Sequence, residues 1–359
     1  MSHAGRSSLP KALFLTLVAA LVLGLALVSA GCGGDDDNGG GGSSGGGSTG
    51  GGPAQGPVDK IAGWGLQSPG TNPFDKGGAE GLSTAAKLLG AKPNFLSNIT
   101  FDQSPQVIDR LVRDGYPVLI SNGSGFADAM LAAAQKYPDK WFMVYSDLAS
   151  TKGLPNAVGI KINWSEMGYL AAAIACQSSP AKKIGLVVAQ PIPAYTHAVG
   201  GAVQGAKAAC GAEKDMLTTW TGTFDDNAKT KQATQALISQ GAQVIFDLQD
   251  AATVGVQSAL KENPKIKYVG TTFDRTSDLP KQIITSVVND FDVGYGKTAE
   301  LLKDKKLEPK VYLYGVKEGG LVLTPFTNVS PKVEAEDKGL YNDIKSGKVV
   351  VDLKREVSK

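Results

Sequence analysis

The sequence predicts an α/β protein whose folded part is two doubly wound lobes, each a parallel sheet covered by helices on both faces. Three observations predict it. Short β-branched runs alternate with amphipathic helical stretches over about 300 residues, more than a single core readily holds. The runs are apolar nearly throughout instead of alternating, which marks strands buried on both faces. Polar and aromatic residues gather where those runs end, and open α/β sheets bind ligands beyond the carboxyl ends of their strands.

The front of the chain lies outside that pattern. Arg6 and Lys11 precede an apolar run from Ala12 to Val28, which closes on Ser29, Ala30 and Gly31, the order of a bacterial export signal over residues 1–31. The run approaches the length of a membrane span, so an uncleaved anchor helix is the alternative. Cys32 follows at once. Residues 32–57 are mostly Gly, Ser, Asp and Asn, which offer too little apolar surface to offset the entropy of ordering, and read as a tether with a root-mean-square span of about 28 Å.

The first strand series is "KIAGWGL" (60–66), "PVLISNG" (117–123), "WFMVYSD" (141–147) and "AVGIKIN" (157–163). The second is "KIGLVVAQ" (183–190), "MLTTWTG" (216–222), "AQVIFDLQ" (242–249) and "IKYVGTTF" (266–273). Helices fall between them, near 77–89, 126–137, 165–176, 197–209, 227–240 and 252–262. One more, "SPQVIDRLVRDG", has Ser104 as expected N-cap, Pro105 at its first position and Gly115 past its end, with Val107, Ile108, Leu111 and Val112 on one face.

Candidate ligand contacts come from the strand-end loops. In the first series they are Trp64, Phe74, Asp75, Asn122 and Asp147. In the second they are Trp220, Phe224, Asp250 and Asp274. Phe74 and Phe224 sit in loops of opposite lobes, where two rings can sandwich a flat ligand. Asp147 ends a buried strand, where a carboxylate is costly unless it is paired or faces a ligand. Asp225 and Asp226 read as helix caps.

Composition excludes other classes. The formal net charge is +2 with no Lys/Arg block, so nucleic acid is not an expected partner. Only His3 and His197 are present, and His197 has no nucleophile signature beside it, so no catalytic constellation and no metal site are expected. "GWG" lacks the third glycine of a dinucleotide loop, Ser68 standing in its place, and no cofactor is expected. Cys176 and Cys210 are expected to pair in an exported compartment, with two buried free thiols as the alternative.

Taken in order, "NPFDKGGAEGL", "LISNGSGFADAMLAAAQKYPDKWFMVYSD", "NAVGIKINWSEMGYLAAAIA", "KIGLVVAQPIPAYTHAVGGAVQGAKAA", "TWTGTFDD" and "GTTFDRTSDLPKQIITSVV" resemble the basic membrane protein family of ABC-importer binding lipoproteins, which includes purine nucleoside receptors. Ser-Ala-Gly-Cys32 likewise resembles a lipobox, with Ser29 where leucine is usual.

The resemblance implies a type I periplasmic-binding fold, crossed by the chain near 161–164, 283–287 and 317–321. That gives a first lobe of 58–162 and 285–318 and a second of 163–284 and 319–359. It further implies acylation of Cys32, a monomer on a membrane, an ABC permease as partner, and a nucleoside or nucleobase as ligand. Phe74 and Phe224 match the purine-clamping positions, Asp147 a ligand-contacting aspartate, and Asp274 the second acid of the family's "D-x-D-Q". The departures are Gly65 for an early Asp, Asp75 for Asn, Thr272 for the first Asp of that motif, and Asn289 for a Lys. The last two remove natural ribose partners, which leaves a free base, a flavin-like ring, a sugar or another metabolite open. A sensor feeding a membrane signalling protein is the alternative to an importer receptor.

Overall fold

A computed structural model describes residue 53 and residues 57–211, 216–354 and 357. The export signal, Cys32 and the readings made on them lie outside the described residues.

Six strands form the first sheet. They are β1 (Lys60–Gly65), β2 (Lys92–Leu96), β3 (Val118–Asn122), β4 (Trp141–Ser146), β5 (Ala157–Ile162) and β11 (Val311–Tyr314), in the order β11-β5-β4-β3-β1-β2, all parallel. The second sheet contains β6 (Ile184–Val188), β7 (Met216–Trp220), β8 (Val244–Leu248), β9 (Lys267–Thr272), β10 (Ile283–Asn289) and β12 (Leu321–Leu323). Its order is β12-β10-β9-β8-β6-β7, parallel except for the antiparallel β12 at its edge.

Helices cover both faces of each sheet, as continuous apolar strands require. On the first, α1 (Pro73–Leu89) and α8 (Phe291–Lys303) lie on one side, and α2 (Ser104–Arg113) and α3 (Ala127–Lys136) on the other. On the second, α4 (Trp164–Gln177), α5 (Pro193–Cys210) and α9 (Pro331–Lys345) oppose α6 (Asn227–Ser239) and α7 (Thr253–Glu262).

The chain passes between sheets after Ile162, after Asn289 and between Tyr314 and Leu321. The second passage corrects the expected one near 283–287. β10 pairs with β9 from Ile283 to Val288 and with β12 from Val287 to Asn289, so residues 285–289 belong to the second sheet and not to the first lobe. Ser104 is also not the N-cap expected of it. Gln103 holds that place without a side-chain bond, and the Ser104 hydroxyl is buried inside the first turn.

α4 and α5 pack backbone against backbone. A β-carbon at Gly168 would collide with the Ala198 carbonyl, and one at Gly201 with the Ser165 carbonyl. A disulfide joins Cys176 to Cys210 at the carboxyl ends of the same pair. Because neither carbonyl can retreat without unwinding its helix, Gly201→Ala is expected to destabilise the protein by about 2–3 kcal/mol in urea unfolding. An unchanged midpoint would show that the two helices separate freely.

Candidate functional site

The carboxyl ends of both sheets face a single cavity of about 240 Å³. It is small beside the ~300–1,000 Å³ of drug-sized pockets, and so suits a compact solute. Phe74, Phe101 and Phe126 line it from the first lobe, and Tyr195, Phe224 and Phe273 from the second.

The first-lobe wall is built by the start of α1. Asn72, just before Pro73, caps the helix by accepting from the Asp75 N–H at 2.9 Å. Its amide nitrogen donates across the cleft to Asp250 Oδ2 at 2.7 Å and to Gln67 Oε1 at 3.2 Å. Asp75 accepts from the Gln67 N–H at 2.7 Å and from Asn122 Nδ2 at 3.0 Å. Burial pushes the Asp75 carboxyl above its ordinary value, against those two bonds. Asn122 also donates to the Phe74 carbonyl at 3.0 Å and accepts from the Tyr295 hydroxyl at 3.2 Å. Asp75 Oδ1 fills the space a β-carbon would take at position 65, so Gly65 and Asp75 fit only together.

Phe74 lies in the first turn of α1, not in a loop as expected, because Asn72-Pro73 starts the helix one residue before it. Its ring meets Phe291 edge-on at 5.3 Å and Tyr145 tilted at 6.3 Å. Phe224 does lie in the β7–α6 loop, tilted against Tyr195 at 6.2 Å. Asp226 caps α6 through the Lys229 N–H at 2.9 Å, which holds that loop in place.

The second-lobe wall carries Gln249 and Asp250 directly after β8. Burial, and then the nearby Asp75, push the Asp250 carboxyl up to about 6 despite the bond from Asn72.

The structure thus brings together Phe74, Asp75, Asn122, Phe224 and Asp250. Four expected contacts lie elsewhere. Trp64 is fully buried on the face of β1 it shares with Ala62, edge-on to Phe126, which lines the cavity where Trp64 does not. Asp147 pairs instead with Lys161 at 2.9 Å and His197 Nδ1 at 3.1 Å. The left-handed backbone of Ser146 (φ 98°) turns the chain there, leaving Ser146 itself on the cavity wall. Trp220 is half-buried at the end of β7, an edge strand, and does not reach the cavity. Asp274 closes its own turn by accepting from the Thr276 N–H (2.9 Å) and hydroxyl (2.5 Å).

Sequence reasoning missed Gln67, Asn72, Tyr195 and Gln249. Asn-Pro ahead of an apolar helix is a readable cap signal for Asn72. The glutamines carry no comparable signal. Among the described residues no group of three His, Cys, Asp or Glu could hold a metal, and no helix is long and apolar enough to cross a membrane.

Residues 70–354 match the family model described as ABC transporter substrate-binding protein, PnrA-like. A curated purine-binding protein of Brucella abortus is 25% identical over 256 residues, 71% of each chain. A solute-binding protein of an ABC transporter system from Aeropyrum pernix superposes with a TM-score of 0.71 at 19% identity, over 83% of this chain and 94% of that one. A transcriptional activator of the comK gene from Bacillus halodurans superposes at 0.68 with 22% identity, over 80% and 99%. These two neighbours share the fold.

Proposed function

The chain belongs to the PnrA-like substrate-binding proteins of ABC transporters, and on that premise we propose that it is an extracytoplasmic receptor, lipid-anchored through Cys32, that closes its lobes on a planar purine-type solute and presents it to a permease. The ligand is a nucleobase or nucleoside, and the protein binds it without chemistry of its own. The observation that carries this reading is the placement of Phe74 and Phe224 on opposite walls of one cavity at the strand ends. Offset stacking between two such rings contributes about 0.5–1.5 kcal/mol per ring beyond area burial. The Brucella relative, a purine-binding protein by name, agrees with it.

The test is a thermal-shift screen on full-length chain, solubilised in mild detergent and stripped of carried ligand by unfolding and refolding, against purines, nucleosides, flavins, sugars and amino acids. A purine at a hundredfold excess over its dissociation constant should stabilise the fold by about 2.7 kcal/mol. Stabilisation by sugars or amino acids alone would overturn the purine reading. Phe74→Ala and Phe224→Ala are each expected to weaken the purine by about 1–3 kcal/mol in calorimetry. Unchanged affinity in both would sink the sandwich. Cys32→Ser should move the expressed protein out of the lipid-labelled fraction, and undiminished labelling would place the anchor elsewhere.

A further inference from the structure

Gln249 and Asp250 each keep one oxygen, Oε1 and Oδ1, buried without a hydrogen-bond partner. Both residues line the cavity, and Gln249 is only 3% exposed. Thr221 sets the orientation of the Gln249 amide. Its hydroxyl lies 3.3 Å from the Val188 carbonyl and 3.2 Å from the Thr223 carbonyl, and its single hydrogen goes to one of them. Toward Gln249 it can then only accept, so the atom 3.2 Å away is Nε2 and the oxygen is the free end. Asp250 has spent Oδ2 on Asn72, which leaves Oδ1.

A buried acceptor left without a donor costs about 1–3 kcal/mol, and more when it is charged. Two in succession on a cavity wall call for donors from whatever fills the cavity. Among the described residues none donates to either oxygen, and no Lys, Arg or His lines the cavity to neutralise the carboxylate. Arg275 lies behind the wall, 5.2 Å from the Phe273 ring centre and 3.6 Å from Asp278.

We infer that Gln249 and Asp250 form an acceptor pair that reads an amino group, so that the site selects a ring bearing an exocyclic amine over the same ring bearing a carbonyl and rejects anionic ligands. The choice of a purine ring rests on the function proposed above, whereas the amine preference rests on these two oxygens. An oxo group here would set acceptor against acceptor, and a site whose buried polar groups are left unpaired rejects an analogue strongly.

Titration calorimetry of the full chain with two matched pairs, adenine with hypoxanthine and cytosine with uracil, and with adenosine monophosphate, tests it. Adenine is expected to bind at least tenfold tighter than hypoxanthine, and the monophosphate far more weakly than adenine. In Asp250→Asn the new amide can accept from Asn72 and turn its NH2 toward the ligand, so the adenine preference should fall below threefold or reverse. Hypoxanthine binding as well as adenine would overturn the acceptor pair while leaving the purine receptor standing, as would a ratio unmoved by Asp250→Asn. Cytosine exceeding uracil tenfold with neither purine binding would keep the acceptor pair and overturn the purine ring. If no member of either pair bound, nor adenosine or inosine in their place, both would fall.

Discussion

Asp337→Asn should stabilise the protein at pH 8 by about 3–4 kcal/mol and leave it nearly unchanged at pH 4. Asp337 sits beside Leu340, Tyr341 and Ile344, by which α9 packs against the second lobe, fully buried, with neither carboxyl oxygen hydrogen-bonded. Burial, reinforced by Glu336, pushes its carboxyl from 3.8 up to about 7. The folded state therefore holds this proton where the unfolded chain has released it. Stability is greatest below the unfolded value near pH 4, falls as pH rises toward 7, and is flat beyond. Asparagine copies the shape of the neutral acid and removes that slope. Urea unfolding of both proteins at pH 4, 6 and 8 gives the difference directly, free of the other buried carboxyls common to both. Parallel curves would mean that Asp337 is already neutralised or solvated in the fold.

Removing the disulfide is the next largest expected effect. Cys176 and Cys210 are 34 residues apart, and closing a loop of that length stabilises by about 3–4 kcal/mol on chain-entropy grounds. The double variant Cys176→Ala, Cys210→Ala should lose that amount in urea unfolding. The loss should be felt in the α4–α5 pair first, since the bond pins the ends of two helices held together by Gly168 and Gly201. A loss below about 1 kcal/mol would mean that the glycine contacts already constrain the pair in the unfolded chain.

The central strands were legible because burial on both faces leaves a run such as "WFMVYS" with hardly a polar residue. β10 escapes notice in the sequence because Thr285 and Ser286 interrupt its apolar run, and both are buried with partners: Thr285 donates to the Thr324 carbonyl at 2.7 Å, and Ser286 accepts from the Arg275 N–H at 3.0 Å. β2 was missed as an edge strand with Pro93 and exposed residues at its start. At the site, position along a strand could be read but the side of the sheet could not. Trp64 stands one residue before the end of its strand, beside Ser121, and points into the helix-covered core, whereas Gly65 is the neighbour of Asn122; one left-handed residue before Asp147 redirects that carboxylate to Lys161. Gln249 shows the limit most plainly. An amide after an apolar strand gives no signal until Thr221, 28 positions earlier in the chain, fixes which end is free.

Gly65 and Asp75 have a consequence for how this cavity can be altered. Every residue other than glycine at position 65 brings a β-carbon into the Asp75 carboxylate, whatever the rest of its side chain. A library that randomises position 65 alone therefore samples a single obstacle nineteen ways and ranks its members by how far they displace Asp75. The two positions form one packing unit, and changing the ligand at this wall takes two substitutions made together.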